Sequence, residues 1–119
     1  MSKELLVIKE ILGLCLDDWL ELTWFPQLII EQFPGSNPSE ILALTIKILK
    51  KLFDKKLIEV GDLTGENGRF KPWDMGSDAI LKKIKNRWIQ CKGPYDRING
   101  DGVCWIATTE LGDKLAKNL

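Results

Sequence analysis

The chain has 119 residues, is 45% apolar, and carries 17 basic against 17 acidic side chains with no histidine. That length and apolar content fit one domain with its own core and exclude disorder as the ground state. The zero net charge removes the uniformly basic surface of a generic nucleic-acid binder, and the missing imidazole removes Ser–His–Asp and Cys–His catalysis and the commonest metal ligand.

Residues 3–16 predict a first helix, with Leu5, Ile8, Leu12 and Cys15 in an apolar row opposite a stripe of Lys3, Glu10 and Asp17. Gly13 weakens its end. A second helix is expected over residues 18–32, with Asp17 and Asp18 at its start and Trp19, Leu22, Phe25, Ile29 and Phe33 on its apolar face. Pro26 removes a backbone donor inside that span and forces a kink or break near residues 23–25. FPGSNP, residues 33–38, is a turn-rich connector.

The chain is organised around residues 38–62, PSEILALTIKILKKLFDKKLIEVGD. Ser39 is the expected cap of a helix over residues 39–56, and Glu40 sits where the helix dipole favours an anion. Two apolar rows follow, Ile41–Leu44–Ile48–Leu52 and Leu42–Ile46–Leu49–Phe53. The period then changes, and residues 57–62 read as a short strand.

Residues 64–76 are rich in turn formers, with Phe70 and Trp73 as apolar anchors. Ser77 is the expected cap of a helix over residues 78–90, with Ile80, Leu81, Ile84 and Trp88 inward and Lys82, Lys83, Lys85 and Arg87 outward. After a second turn-rich stretch, 92–102, the composition of 103–107 predicts a strand. Thr108 or Thr109 then caps a last helix to about residue 117, with Leu111 and Leu115 facing in.

Cys15, Cys91 and Cys104 are odd in number and distant in sequence, which fits buried free thiols in a reducing compartment. No Cys-x-x-Cys pair is present, so no structural zinc is expected. Gly61, Gly65 and Gly68 lack the Gly-Lys-Ser/Thr of a phosphate loop and read as turn glycines. Lys9 and Glu10 interrupt the first apolar run, which removes a signal-peptide pattern, and no uncharged stretch approaches the roughly 20 residues that span a bilayer. A cytoplasmic protein without metal or cofactor is expected.

The charge is unevenly placed. Residues 1–38 hold two lysines against six carboxylates, and residues 77–92 hold five basic side chains against Asp78 alone. The plain reading is solvated helix faces; the sharper one is a patch that docks a partner of opposite sign. Asp17, Asp18 and Glu21 could form an acid–base pair, but a helix start explains them more simply.

Residues 105–112, WIATTELG, resemble the strand–turn–helix that ends many winged-helix domains. With residues 50–62 they supply the two wing strands, and residues 39–56 would be the recognition helix. The resemblance implies an α+β fold, mostly helical and winged-helix-like, with a small antiparallel sheet and a helix inserted between the wing strands. LCLDDWLEL (14–22), VGDLTGENGRFKPWD (60–74), the Trp88 region and CWIATTELGD (104–113) are also similar to a group of small bacterial proteins. Some small cytoplasmic proteins of that general type are immunity partners of secreted toxins, which implies a non-catalytic protein binder.

Two functional expectations follow. A protein partner, such as a basic toxin domain, would be steered by Asp17, Asp18 and Glu21 and anchored by Trp73, Asp74, Tyr95 and Arg97. A homodimer through the helix of Ile80 and Trp88 is a variant of this reading. The alternative is a winged-helix DNA-binding regulator using Ser39, Lys47, Lys50 and Lys51. The helix start at Ser39, Glu40 and Ala43 offers no arginine for guanine and no amide for adenine, which counts against it.

Overall fold

Residues 2–64, 68–90 and 104–118 are described by the structure, a computed structural model. Among them are five α-helices and four strands, a mostly helical α+β fold. In chain order these are α1 (Lys3–Asp17), β1 (Leu20–Glu21), a 3-10 turn (Leu22–Trp24), α2 (Phe25–Gln32), α3 (Pro38–Asp54), β2 (Ile58–Thr64), β3 (Arg69–Pro72), α4 (Ser77–Gln90), β4 (Trp105–Thr108) and α5 (Glu110–Lys117). The sheet is antiparallel throughout, in the order β1-β4-β2-β3.

The expected single helix over residues 18–32 is divided. Leu20 and Glu21 pair with Ile106 and Trp105 instead, and Leu22 N–H donates to the Cys104 carbonyl at 3.0 Å. Only from Phe25 does the α-helix run, with Pro26 in its first turn, where a missing N–H costs nothing. The break falls at the expected place, but the residues before it form an edge strand.

In α3 the cap is Asn37 rather than Ser39. Asn37 Oδ1 accepts from Glu40 N–H at 2.9 Å, and Glu40 Oε1 accepts from Asn37 N–H at 3.1 Å. This reciprocal box places Pro38 at the first helical position and leaves Ser39 exposed. The helix buries Ile41, Ile48, Leu49 and Leu52, and Thr45 joins them by donating to the Ile41 carbonyl at 2.8 Å. Each buried aliphatic side chain contributes about 1.5–3 kcal/mol.

The end of α3 is a Schellman turn. Lys56 N–H donates to Phe53 O at 2.9 Å and Leu57 N–H to Leu52 O at 3.0 Å, with Lys56 at φ 57°. The turn delivers Leu57 to the core and opens β2.

Residues 69–72, within the turn-rich stretch 64–76, form β3 rather than a loop. They pair back on β2 over Gly61↔Pro72 to Thr64↔Arg69. Gly61 permits this, because a Cβ there would overlap the Lys71 carbonyl.

The core is shared by helices and sheet. Val7, Ile11 and Leu12 of α1, Phe25 and Ile29 of α2, Ile84 and Trp88 of α4, and Val60 and Ile106 of the sheet are all buried. α1 packs on α2, α5 and β4, and α3 packs on α2 and α4. In α5 the expectation fails: Leu111 and Leu115 are 54% and 40% exposed, and the inward residues are Gly112 and the half-buried Ala116. No helix among the described residues is long and apolar enough to cross a membrane.

Candidate functional site

Residues opposed across a sheet share a face, so the register sorts the strand residues. Leu20, Ile106 and Val60 form one row and lie in the core. The next row, Glu21, Trp105, Gly61 and Pro72, lies on the other face, with the pairs Ala107↔Glu59 and Leu63↔Phe70 beside it. Trp105, Ala107, Leu63 and Phe70 are half-buried there and Glu59 is exposed. The outer face of the sheet is therefore aromatic and only partly covered.

At its edge the α1–β1 junction brings up Asp18 and Trp19. Asp18 Oδ1 accepts from Trp19 N–H at 2.7 Å, which fixes the turn after α1. Trp19 is 39% exposed, and its ring stacks on Phe70 with centroids 6.0 Å apart and planes at 26°. Nearby is a recess of about 340 Å³ lined by Asp18, Trp19, Cys15, Ala107, Thr108 and Asp113. Thr109 caps α5 and Asp113 N–H bonds the Thr109 carbonyl at 2.9 Å, placing Asp113 on the first turn. Its carboxylate also accepts a hydrogen bond from Thr108 Oγ1. The recess thus joins two carboxylates to an exposed tryptophan.

Cys15 is no nucleophile in this setting. Burial first, and the Asp113 charge second, push its thiol up to about 12, so it stays protonated at neutral pH. The recess offers negative charge, hydrogen-bond acceptors and aromatic surface.

A second concavity is lined by residues of β2, α3 and α4. Glu59, directly opposite Ala107 of the recess, lines a groove of about 470 Å³ with Phe53, Trp73, Asp74, Met75 and Ile80. Asp74 and Met75 are exposed at its margin. Asp18 and Asp113 thus line the recess, and Glu59 and Asp74 line the groove.

Trp73 is a joint in this groove. Its indole N–H donates to Asp62 Oδ2 at 2.8 Å, and Arg87 of α4 donates to Asp62 Oδ1 at 3.1 Å. Lys83 Nζ lies 4.0 Å from the ring centroid and the Arg87 guanidinium 5.0 Å. Basic residues of α4, expected to face solvent, thus hold the tryptophan against the end of the sheet.

Among the expected partner residues, Asp18, Trp73 and Asp74 line these concavities. Glu21 is a correction. It is only 4% exposed, because it lies in β1 opposite Trp105 rather than on an outward helix face. The Asp17 side chain, Tyr95 and Arg97 lie outside the described residues. Asp113, Glu59, Phe70 and Trp105 were missed. The Thr109 cap signals Asp113 as a first-turn acid, and strand alternation puts Trp105 opposite Ile106 in facing.

The nucleic-acid alternative places its residues on α3. Lys47 and Lys51 both pair with Glu4 of α1, at 3.4 and 2.6 Å. The Lys51 contact, foremost, holds the Glu4 carboxyl below its usual range against the opposing effect of burial. Ser39 and Lys50 are exposed. One carboxylate of α1 thus faces two of the lysines of α3.

No family model, curated protein or solved structure matches the chain.

Proposed function

We propose that the chain is a non-catalytic protein-binding protein, of the kind that neutralises a basic toxin domain by stoichiometric binding in the cytoplasm. The observation that carries the reading is the exposed Trp19, which stacks on Phe70 and lines the recess with Asp18 and Asp113. Tryptophan with flanking carboxylates is the composition that anchors and steers a basic protein surface. Glu59 and Asp74 add two carboxylates in the groove of Trp73. A standard interface of about 1,600 Å² in total is the size expected for such a complex. The free thiols of Cys15 and Cys104 fit a reducing compartment.

The pairing of β2 and β4, with β1 on the far side of β4, favours a second reading as a winged-helix DNA regulator. In it α3 is the recognition helix, and β3 and α4 occupy the place of the wing tip. The Glu4 pairs of Lys47 and Lys51 and the bare helix start make this the weaker reading.

Affinity capture of the tagged chain from its own cells, with and without nuclease, separates the two. One stoichiometric basic protein retained after nuclease treatment supports the first reading. DNA that is lost at moderate salt, with no protein partner, supports the second.

A further inference from the structure

On the side of the molecule formed by α1, α3 and α5 lies a small slot of about 80 Å³. Leu5, Ile8 and Leu12 of α1, Leu52 of α3, Leu57 of the turn before β2, and Leu115 of α5 make its walls. Three ammonium-bearing side chains, Lys9, Lys51 and Lys55, complete the lining. Lys51 is engaged by Glu4 at 2.6 Å, whereas no carboxylate among the described residues pairs with Lys9 or Lys55. Leu5 and Leu115 remain about half exposed at this slot, which leaves it open to solvent.

The lining specifies a ligand of two parts. The aliphatic walls favour a short apolar chain, and the uncompensated lysines favour an anion at one end of it. A dry cavity of about 150 Å³ takes a six-carbon ring, so a slot of this size takes about three to four carbons. We infer that the slot bounded by Leu12, Leu52 and Leu115 binds a short aliphatic carboxylate, the chain between the leucines and the carboxylate against Lys9 and Lys55. The same chemistry is presented by a free short-chain acid and by an aliphatic residue at the C-terminus of a peptide. The site is separate from the acidic face and does not depend on what binds there.

The test is an NMR titration of the full chain with acetate, propionate, butyrate and hexanoate, with butyramide and butylamine as controls. Affinity should rise about fourfold per methylene from acetate to butyrate, the equivalent of about 0.8 kcal/mol each, and level off at hexanoate when the slot is full. Shifts should cluster on α1, the end of α3 and α5. Lys9→Gln with Lys55→Gln, both away from the buried core, should weaken butyrate at least fivefold while leaving the spectrum otherwise unchanged. Acetyl-Gly-Leu as the free acid and as the amide identifies the source. Tighter binding of the peptide acid than of butyrate assigns the slot to a chain terminus, and weaker binding assigns it to a free acid. Equal binding of butyrate and butyramide, no dependence on chain length, or shifts confined to other faces would overturn the inference.

Discussion

Thr109 Oγ1 donates to the carbonyl oxygen of Lys56 at 2.7 Å, joining residues 53 positions apart in the chain. The same oxygen accepts from Gly112 N–H at 3.1 Å, and Thr109 N–H donates to Leu57 O at 3.0 Å. One side chain thus caps α5 and fastens it to the turn between α3 and β2. Asp113 of the acidic recess is oriented by that cap.

Thr109→Val should cost about 1–3 kcal/mol, because it removes both hydroxyl bonds and leaves the Lys56 carbonyl without this donor. Thr109→Ser should retain most of the stability. Gly112→Ala should cost more than Thr109→Val, since its Cβ would overlap the Leu57 carbonyl and force α5 off the turn. Urea unfolding of the three variants gives the order directly.

Lys56→Gly should stabilise the protein. Lys56 holds φ 57° at the left-handed position of a Schellman turn, where a Cβ is strained and glycine is not. A gain of about 0.5–1 kcal/mol is expected after the extra freedom glycine brings to the unfolded chain. The midpoint of urea unfolding should rise without a change in slope.

The sequence displayed its helices better than its sheet. In the rows Ile41–Leu44–Ile48–Leu52 and Ile80–Leu81–Ile84–Trp88 all but Leu44 and Leu81 are buried, and those two are half-buried against the core. β1 was hidden because Trp19, Leu22, Phe25 and Ile29 are themselves spaced like a helix face, while pairing with β4 decides the fate of Leu20 and Glu21. That pairing carries Glu21 inside, so an acid that looked like part of a surface patch is not one. β3 consists of Arg69, Phe70, Lys71 and Pro72, an edge strand whose charges and proline mask its pairing. Of the residues at the candidate concavities, Asp18 and Trp73-Asp74 stand out along the chain, whereas Asp113, Glu59 and Phe70 are brought in only by tertiary pairing.

Glu4 predicts a small acid limb in the stability curve. Its side chain is 16% exposed between Lys47 and Lys51, and its folded pKa lies below the ordinary value of 4.5. A depressed carboxyl contributes stability that is present above the ordinary value and is lost as pH falls through the folded one. Both lysines are at least half exposed, so the contribution is under about 1 kcal/mol. Glu4→Gln should therefore lower stability at pH 7 and flatten its decline below about pH 4.5. Added salt should shrink the difference.

Cys15 and Cys104 should resist alkylation in the folded protein. Burial is the first cause of the raised thiol in both; in Cys104 Arg87 opposes it. At pH 8 iodoacetamide should leave the peptides of both cysteines unlabelled over hours, and 6 M guanidinium should expose them within minutes, as read by peptide mass spectrometry.

Calorimetric titration of the captured basic partner into the wild type, Asp18→Lys, Trp19→Ala and Lys50→Ala proteins tests the acidic aromatic face as the partner site, with thermal melts confirming the fold of each. Trp19→Ala and Asp18→Lys should each weaken binding tenfold or more, about 1.4 kcal/mol or greater, while Lys50→Ala should bind like the wild type. Wild-type affinity in both Trp19→Ala and Asp18→Lys, or a loss confined to Lys50→Ala, would contradict the acidic aromatic face as the partner site.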